Sequence, residues 1–198
     1  AGIIVTSKSK DKKIETKSKE KEYGKSKNKL TKYNLQEFIN RGGKLLLAQN
    51  RIKTDLSTQQ ANPIISNIFS FLESFGITIK TNLVLDQNCG KVNVQQNLGF
   101  LRIPVPMDYP FLPIIKKRNF NREIPIVNNL EGLRLMFPSE IIINDTNIIN
   151  EFTSIDPLFN SSNRSNSMEE FFNLSPDPQQ NPSFQQLNQS GKLLGVLL

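Results

Sequence analysis

The chain has 198 residues, 37% of them apolar and 8% aromatic, with no tryptophan. That is enough for one domain with its own core, or at most two small ones. It has no histidine and a single cysteine, Cys89, which removes Ser-His-Asp and Cys-His catalysis, His-ligated zinc, an internal disulfide and any multi-cysteine metal site.

The net charge of +7 is unevenly placed. Between Lys8 and Lys32 stand eleven lysines and four acids (Asp11, Glu15, Glu20 and Glu22), so this segment alone carries +7 and the rest of the chain sums to zero. Only Ile14 and Tyr23 interrupt it before Leu30. A stretch this polar cannot bury enough surface to offset its ordering entropy, so it reads as a mobile insertion or frayed helix. Attraction to an anionic membrane surface is one functional reading. Nucleic acid is a weaker one, because a single tyrosine gives almost no stacking platform, and no nucleic-acid partner is expected. A solvated Lys-rich insertion is the plainer reading and the favoured one.

In chain order, Gly2–Thr6 is a short β-branched run, predicted as a strand. No signal-peptide pattern is visible at this start, and residues 1–7 read as a strand already in progress, as in a piece of something longer. Leu30 to Asn40 has helical spacing, with Leu35, Phe38 and Ile39 on one face, and Gly42-Gly43 supply a stop. Lys44 to Gln49 is a continuous apolar run, the pattern of a strand buried on both faces of a parallel sheet. Asn62 and Pro63 suit an N-cap and first helical position. Ile64, Ile65, Ile68, Phe69, Leu72 and Phe75 then recur at helical spacing up to Gly76. Ile77 to Lys80 and Leu83 to Leu85 read as extended. Residues 1–86 thus predict strand–helix–strand–helix–strand, an α/β sandwich with a mostly parallel sheet.

The second half is punctuated by Pro104, Pro106, Pro110 and Pro113. Phe100 to Val105 reads as an edge strand, and Leu133 to Phe137 and Glu140 to Ile143 as extended runs. Residues 153–191 predict long surface loops with one short helix at Ser167 to Asn173, and Lys192 to Leu198 a final strand.

Several segments in order carry a family resemblance. They are LQEFINRGGKLLLAQNRI (35–52), FLESFGITIKTNLVLDQNCG (71–90), YPFLPII (109–115), IPIVNNLEGLRLMFPSEI (124–141) and LFNSSNRSNS (158–167), followed by a Gly-Lys and apolar strand at 191–198. Together they resemble the auxiliary subunits of ABC transport systems typified by the gliding-motility protein GldG. The Lys8–Lys32 segment departs from that pattern. The resemblance implies a flavodoxin-like, glutamine-amidotransferase-like three-layer α/β sandwich, one domain over 1–198 with a loop-rich C-terminal part and no catalytic apparatus. It further implies a piece of a longer, membrane-anchored chain on the extracytoplasmic face of the bacterial cytoplasmic membrane. Permease and ATPase subunits would be its partners. In that bacterial setting the five N-x-S/T sequons carry no weight.

In a parallel α/β sheet, ligands bind beyond the carboxyl ends of the strands. Those positions here are Gln49, Asn50 and Arg51 after one strand, and Asp86, Gln87 and Asn88 after another. They are candidate ligand or partner contacts, although any strand end needs polar residues to leave a core. Cys89 lacks a base to activate it and reads as an incidental thiol. G-x-G-x-x-G, Walker A and G-x-S-x-G motifs are missing, so no cofactor, metal or catalytic residue is expected. Two enzyme-free readings follow, a binding or scaffolding domain of a transport system and, more weakly, a nucleic-acid binder. The alternative is a hydrolase or amidotransferase-like enzyme working through carboxylates, which requires at least three of Asp55, Asp86, Asp108 and Glu140 to converge in one cleft.

Overall fold

The computed structural model describes residues 2–6, 32–144 and 154–198. The predicted Lys-rich insertion lies outside them except for Lys32, which opens the first helix.

Strands β1 (Gly2–Thr6), β2 (Leu45–Gln49), β11 (Asp156–Asn160) and β13 (Leu193–Leu197) form one four-stranded sheet in the order β11-β13-β1-β2. β1 runs parallel to β13, and β2 and β11 are antiparallel to their neighbours. All other pairings among the described strands are antiparallel. β5 (Ile77–Ile79) pairs with β10 (Ile141–Ile143), β6 (Leu83–Asp86) with β12 (Ser165–Met168), and β3 (Ile52–Asp55) with β4 (Gln60–Pro63). A long hairpin of β7 (Cys89–Leu98) and β8 (Leu101–Lys116) continues into β9 (Gly132–Arg134). The helices are α1 (Lys32–Asn40), α2 (Asn67–Glu73) and the single turn α3 (Pro125–Asn128). Strands take 44% of the described residues and helices 16%.

The predicted flavodoxin-like, mostly parallel α/β sandwich is therefore wrong, and three local misreadings explain it. Asn62-Pro63 does not cap a helix but ends β4, the return strand of a hairpin that breaks the expected strand–helix alternation. α2 starts only at Asn67, where the Ser66 hydroxyl accepts from the Ile68 amide. The run Lys44 to Gln49 is not a central strand either. β2 edges its sheet with alternating exposure, leaving Leu46 67% exposed. Third, the prolines conceal a 16-residue strand, β8. The short helix predicted at Ser167 to Asn173 is also absent, since β12 occupies its first residues.

The prolines fit because of their parity. Gly99 (φ 65°) and Phe100 form a two-residue turn with glycine at its first position, so Leu98 and Leu101 make the first rung of the hairpin. Hydrogen-bonded and outward-facing residues then alternate along β8. Pro104 and Pro106, opposite Gln95 and Asn93, fall on the outward-facing rungs, where a missing N–H breaks no rung with β7, and Pro110 falls in the irregular stretch between the Gly90–Tyr109 and Cys89–Pro113 pairs.

The glycine stops do hold. Gly42 sits at φ 86° after α1, and the Gly43 amide reaches back to the Phe38 carbonyl at 2.9 Å, closing the helix with a left-handed cap. Gly76 at φ 79° ends the α2 turn in the same way.

Fully buried β6 organises the core. Leu83 and Leu85 pack with Ile52, Tyr109, Phe111, Phe137 and Leu174, whereas Val84 packs on the opposite side with Ile115, Phe120, Leu158 and Leu194. A third cluster joins Leu35 to Phe69, Leu72, Ile77, Ile79 and Ile141.

Candidate functional site

β6 ends in a carboxylate that the fold seals inside. Asp86 is 1% exposed, and its oxygens accept from the Ser162 amide (2.5 Å), the Ser162 hydroxyl (2.7 Å) and the Asn88 amide (2.7 Å). Three charge-assisted bonds from preplaced donors allow a buried charge to be kept. The adjoining serines extend the network. Ser161 Oγ donates to Ser165 Oγ at 2.9 Å and accepts from the Lys192 amide at 2.7 Å, and Ser165 Oγ lies 3.2 Å from the Gln189 carbonyl. The loop after β11 is thereby fixed to the end of β6 and to the approach to β13.

On the outer side of this loop lies an open polar cleft of about 410 Å³, lined among others by Arg118, Asn119, Asn121, Asn160, Asn163 and Gly191. Asn119 Nδ2 donates to the Ser161 carbonyl at 2.9 Å, tying the cleft wall to the serine network, and its Oδ1 is buried with no hydrogen-bond partner. A guanidinium and side-chain amides of this kind suit hydroxyl-rich or anionic groups.

The six strand-end residues do not form one site. Arg51 lies with its guanidinium 3.9 Å from the centre of the Phe69 ring and its Nε 3.3 Å from Thr81 Oγ1, just before β6 begins. Asp86, Gln87 and Asn88 lie at the other end of that strand. Gln49 Nε2 donates to the Asn50 carbonyl, and Asn50 Oδ1 is buried without a partner. Asp86 is committed to Ser162 and Asn88, Asn88 holds β8 through its carbonyl and the Ile114 amide, and Gln87 is exposed.

The four carboxylates are likewise dispersed. Asp55 takes two hydrogen bonds from Ser57 in an exposed turn, which hold its carboxyl below the usual value. Asp108 pairs with Lys91 at 3.3 Å. Glu140 lies between Lys80 (3.5 Å) and Lys192 (3.7 Å), and its charge is the main reason the Lys80 ammonium is held above its ordinary pKa. Among the described residues no three His, Cys, Asp or Glu side chains gather to hold a metal ion. Burial, and then the Asp108 charge, push the Cys89 thiol up, so it is the protonated and unreactive form that is favoured.

A family model described as an ABC-type uncharacterized transport system matches residues 25–198. The chain belongs to this family. The matched region contains every segment that carried the resemblance. No curated protein and no solved structure gives a significant match. Membership makes the chain an auxiliary component of an ABC transport system, for which transporter subunits are plausible partners. Among the described residues, no helix is long and apolar enough to cross a membrane.

Sequence reasoning singled out Asp86 but missed Ser161, Ser162 and Ser165, the residues that immobilise it. All three stand in the run LFNSSNRSNS, but which of its serines meet Asp86 is set by the pairing of β12 with β6 and by the loop before it. It also missed the cleft, because Arg118 to Asn121 and Asn160 to Asn163 are brought together by contacts remote in sequence, the Phe120–Phe159 bridge and the Asn119–Ser161 hydrogen bond.

Proposed function

We propose that the chain is the non-catalytic, extracytoplasmic binding and scaffolding domain of a GldG-like auxiliary subunit, working beside the permease and ATPase of an ABC transporter. The family match over residues 25–198 carries this reading. The dispersed carboxylates and the protonated Cys89 support it, because among the described residues no carboxylate, thiol or metal cluster lines the polar cleft. The cleft is then a surface for recognising a partner or solute, with Gln87 on an adjoining loop and Arg51 at a separate surface.

Two measurements on the full-length protein in its own membranes test this. Affinity purification in mild detergent is expected to bring down a permease and an ATPase; their absence, under conditions that keep those two subunits together, would refute the scaffold role. A Cys89→Ser, Leu56→Cys variant tests the topology, since Leu56 is 56% exposed. A membrane-impermeant maleimide added to intact cells should label it. Labelling only after lysis would move the domain to the cytoplasmic side.

A further inference from the structure

The β7–β8 hairpin is one ribbon with two unlike halves. From Tyr109 to Ile115, β8 is mostly buried, with the Tyr109 hydroxyl donating to the Leu174 carbonyl at 2.7 Å and its ring edge-on to Phe111, Phe137 and Phe184. From Leu101 to Asp108 the same strand leaves the core. Eight extended residues make an arm of roughly 27 Å, anchored at its root in the most aromatic part of the interior.

The arm is amphipathic. The hairpin register sets Val92 opposite Met107, Val94 opposite Val105 and Gln96 opposite Ile103, and side chains of paired residues share a face. Val92 packs against the core, so this apolar face is a continuation of the core. It becomes barer toward the turn: Ile103 is 40% exposed, Leu101 50% and Phe100 94%. The opposite face carries Lys91, Asn93, Gln95, Arg102, Pro104, Pro106 and Asp108. Between Val92 and Met107 the sole charge is that of Arg102, and the Lys91–Asp108 ion pair lies at the base of the arm.

We propose that this arm seats its tip, Phe100 with Leu101 and Ile103, in the interfacial region of a lipid bilayer. The order of residue types along the arm is the order of environments met on leaving a membrane. Phe100 and Leu101 lie outermost, then the Arg102 guanidinium, suited to lipid phosphate, on one face and Ile103 one rung further in on the other, then neutral amides, then a water-exposed ion pair. No carboxylate lies on the part that would meet anionic headgroups. A second copy of the chain is a poorer occupant, because the face is about 27 Å by 10 Å in plan, well short of the ~800 Å² per partner of a standard interface. Strand addition along β8 is hindered by its outward-facing prolines. The inference is independent of which transporter subunits the domain meets and of which side of the membrane it occupies.

The chain has no tryptophan, so a Phe100→Trp variant carries one reporter at the tip. Its emission is expected to shift to the blue on adding vesicles of phosphatidylcholine with phosphatidylglycerol, and to be quenched by brominated acyl chains. An Ile65→Trp variant, at a 99% exposed residue before α2, should show neither. The double variant Phe100→Ser, Leu101→Ser should keep the wild-type melting temperature and lose about tenfold or more of its vesicle partitioning. The assays are run at high salt so that Lys8–Lys32 does not hold the protein to anionic lipid by charge alone. Two results would overturn the proposal: partitioning unchanged in the double variant, or emission from the Phe100→Trp variant unmoved while the protein floats with vesicles. If the double variant loses co-purifying permease while neither protein binds lipid, the arm is a protein-docking element and the lipid proposal fails, with the scaffold reading intact.

Discussion

Asp86 and Ser162 face each other across the fold from positions 76 residues apart, and the carboxylate satisfies two amides and one hydroxyl. Asp86→Ala leaves these donors without an acceptor, at a cost of about 3 kcal/mol or more. Asp86→Asn keeps the shape but turns an NH₂ toward N–H groups, so it should be nearly as damaging. Urea denaturation checks both, the expected result being a lower midpoint with an unchanged slope. Tyr109 gives a pH dependence of definite sign. Burial pushes its phenol up to about 12 from an ordinary 10. The unfolded chain therefore ionises first, and the stability contribution, fully present below pH 10, is lost as pH rises toward 12. The loss is about 2–3 kcal/mol. Equilibrium unfolding between pH 9 and 12 should show this slope in the wild type, and Tyr109→Phe should flatten it. That variant should also be less stable at neutral pH, since the Leu174 carbonyl loses its donor.

Within the four-stranded sheet, β13 is shaped by one glycine. Gly195 registers with Phe159 of β11, and a Cβ at Gly195 would lie 2.4 Å from Phe159 Cε1. The ring covers the glycine, so the position favours a residue without a side chain for reasons of packing and not of backbone angle. Gly195→Ala is expected to destabilise by about 1–3 kcal/mol, and adding Phe159→Leu to it should recover part of the loss in thermal melts. At this scale the sequence was partly legible. Both glycine stops and the strands at 83–86 and 193–197 could be read from local pattern, because their signals, a glycine after a periodic run or a dense apolar tetrad, lie within a few residues. The β7–β8 ribbon could not, because four prolines argue against a strand unless the parity of Pro104 and Pro106 and the irregularity around Pro110 are known. Both are properties of pairing. The β3–β4 hairpin was lost to Asn62-Pro63, which serves a helix start and a strand end equally well.

Across the whole molecule, family membership was legible where fold class was not. The ordered segments from 35 to 167 identified an ABC transport auxiliary component, and the match over 25–198 bears this out. The expected parallel sandwich failed because strand direction is decided by partners remote in sequence: β10 for β5, β12 for β6. For the same reason the site was half visible. Asp86 could be picked out as a polar strand end, but the serines that bury it, and the convergence of Arg118 with Asn160 and Asn163, depend on contacts that no local spacing records.

β1 stands between β2 and β13, with Ile3 in register with Ala48 on one side and Gly195 on the other. One of its ladders closes over a short stretch of chain, while the other must wait until residues 193–197 have been made. During synthesis β1 thus spends most of its time with one edge unpaired. Refolding in a test tube faces the same long loop closure, which makes non-local pairing slow. The interval before β13 arrives is when this sheet is most open to pairing with the wrong strand.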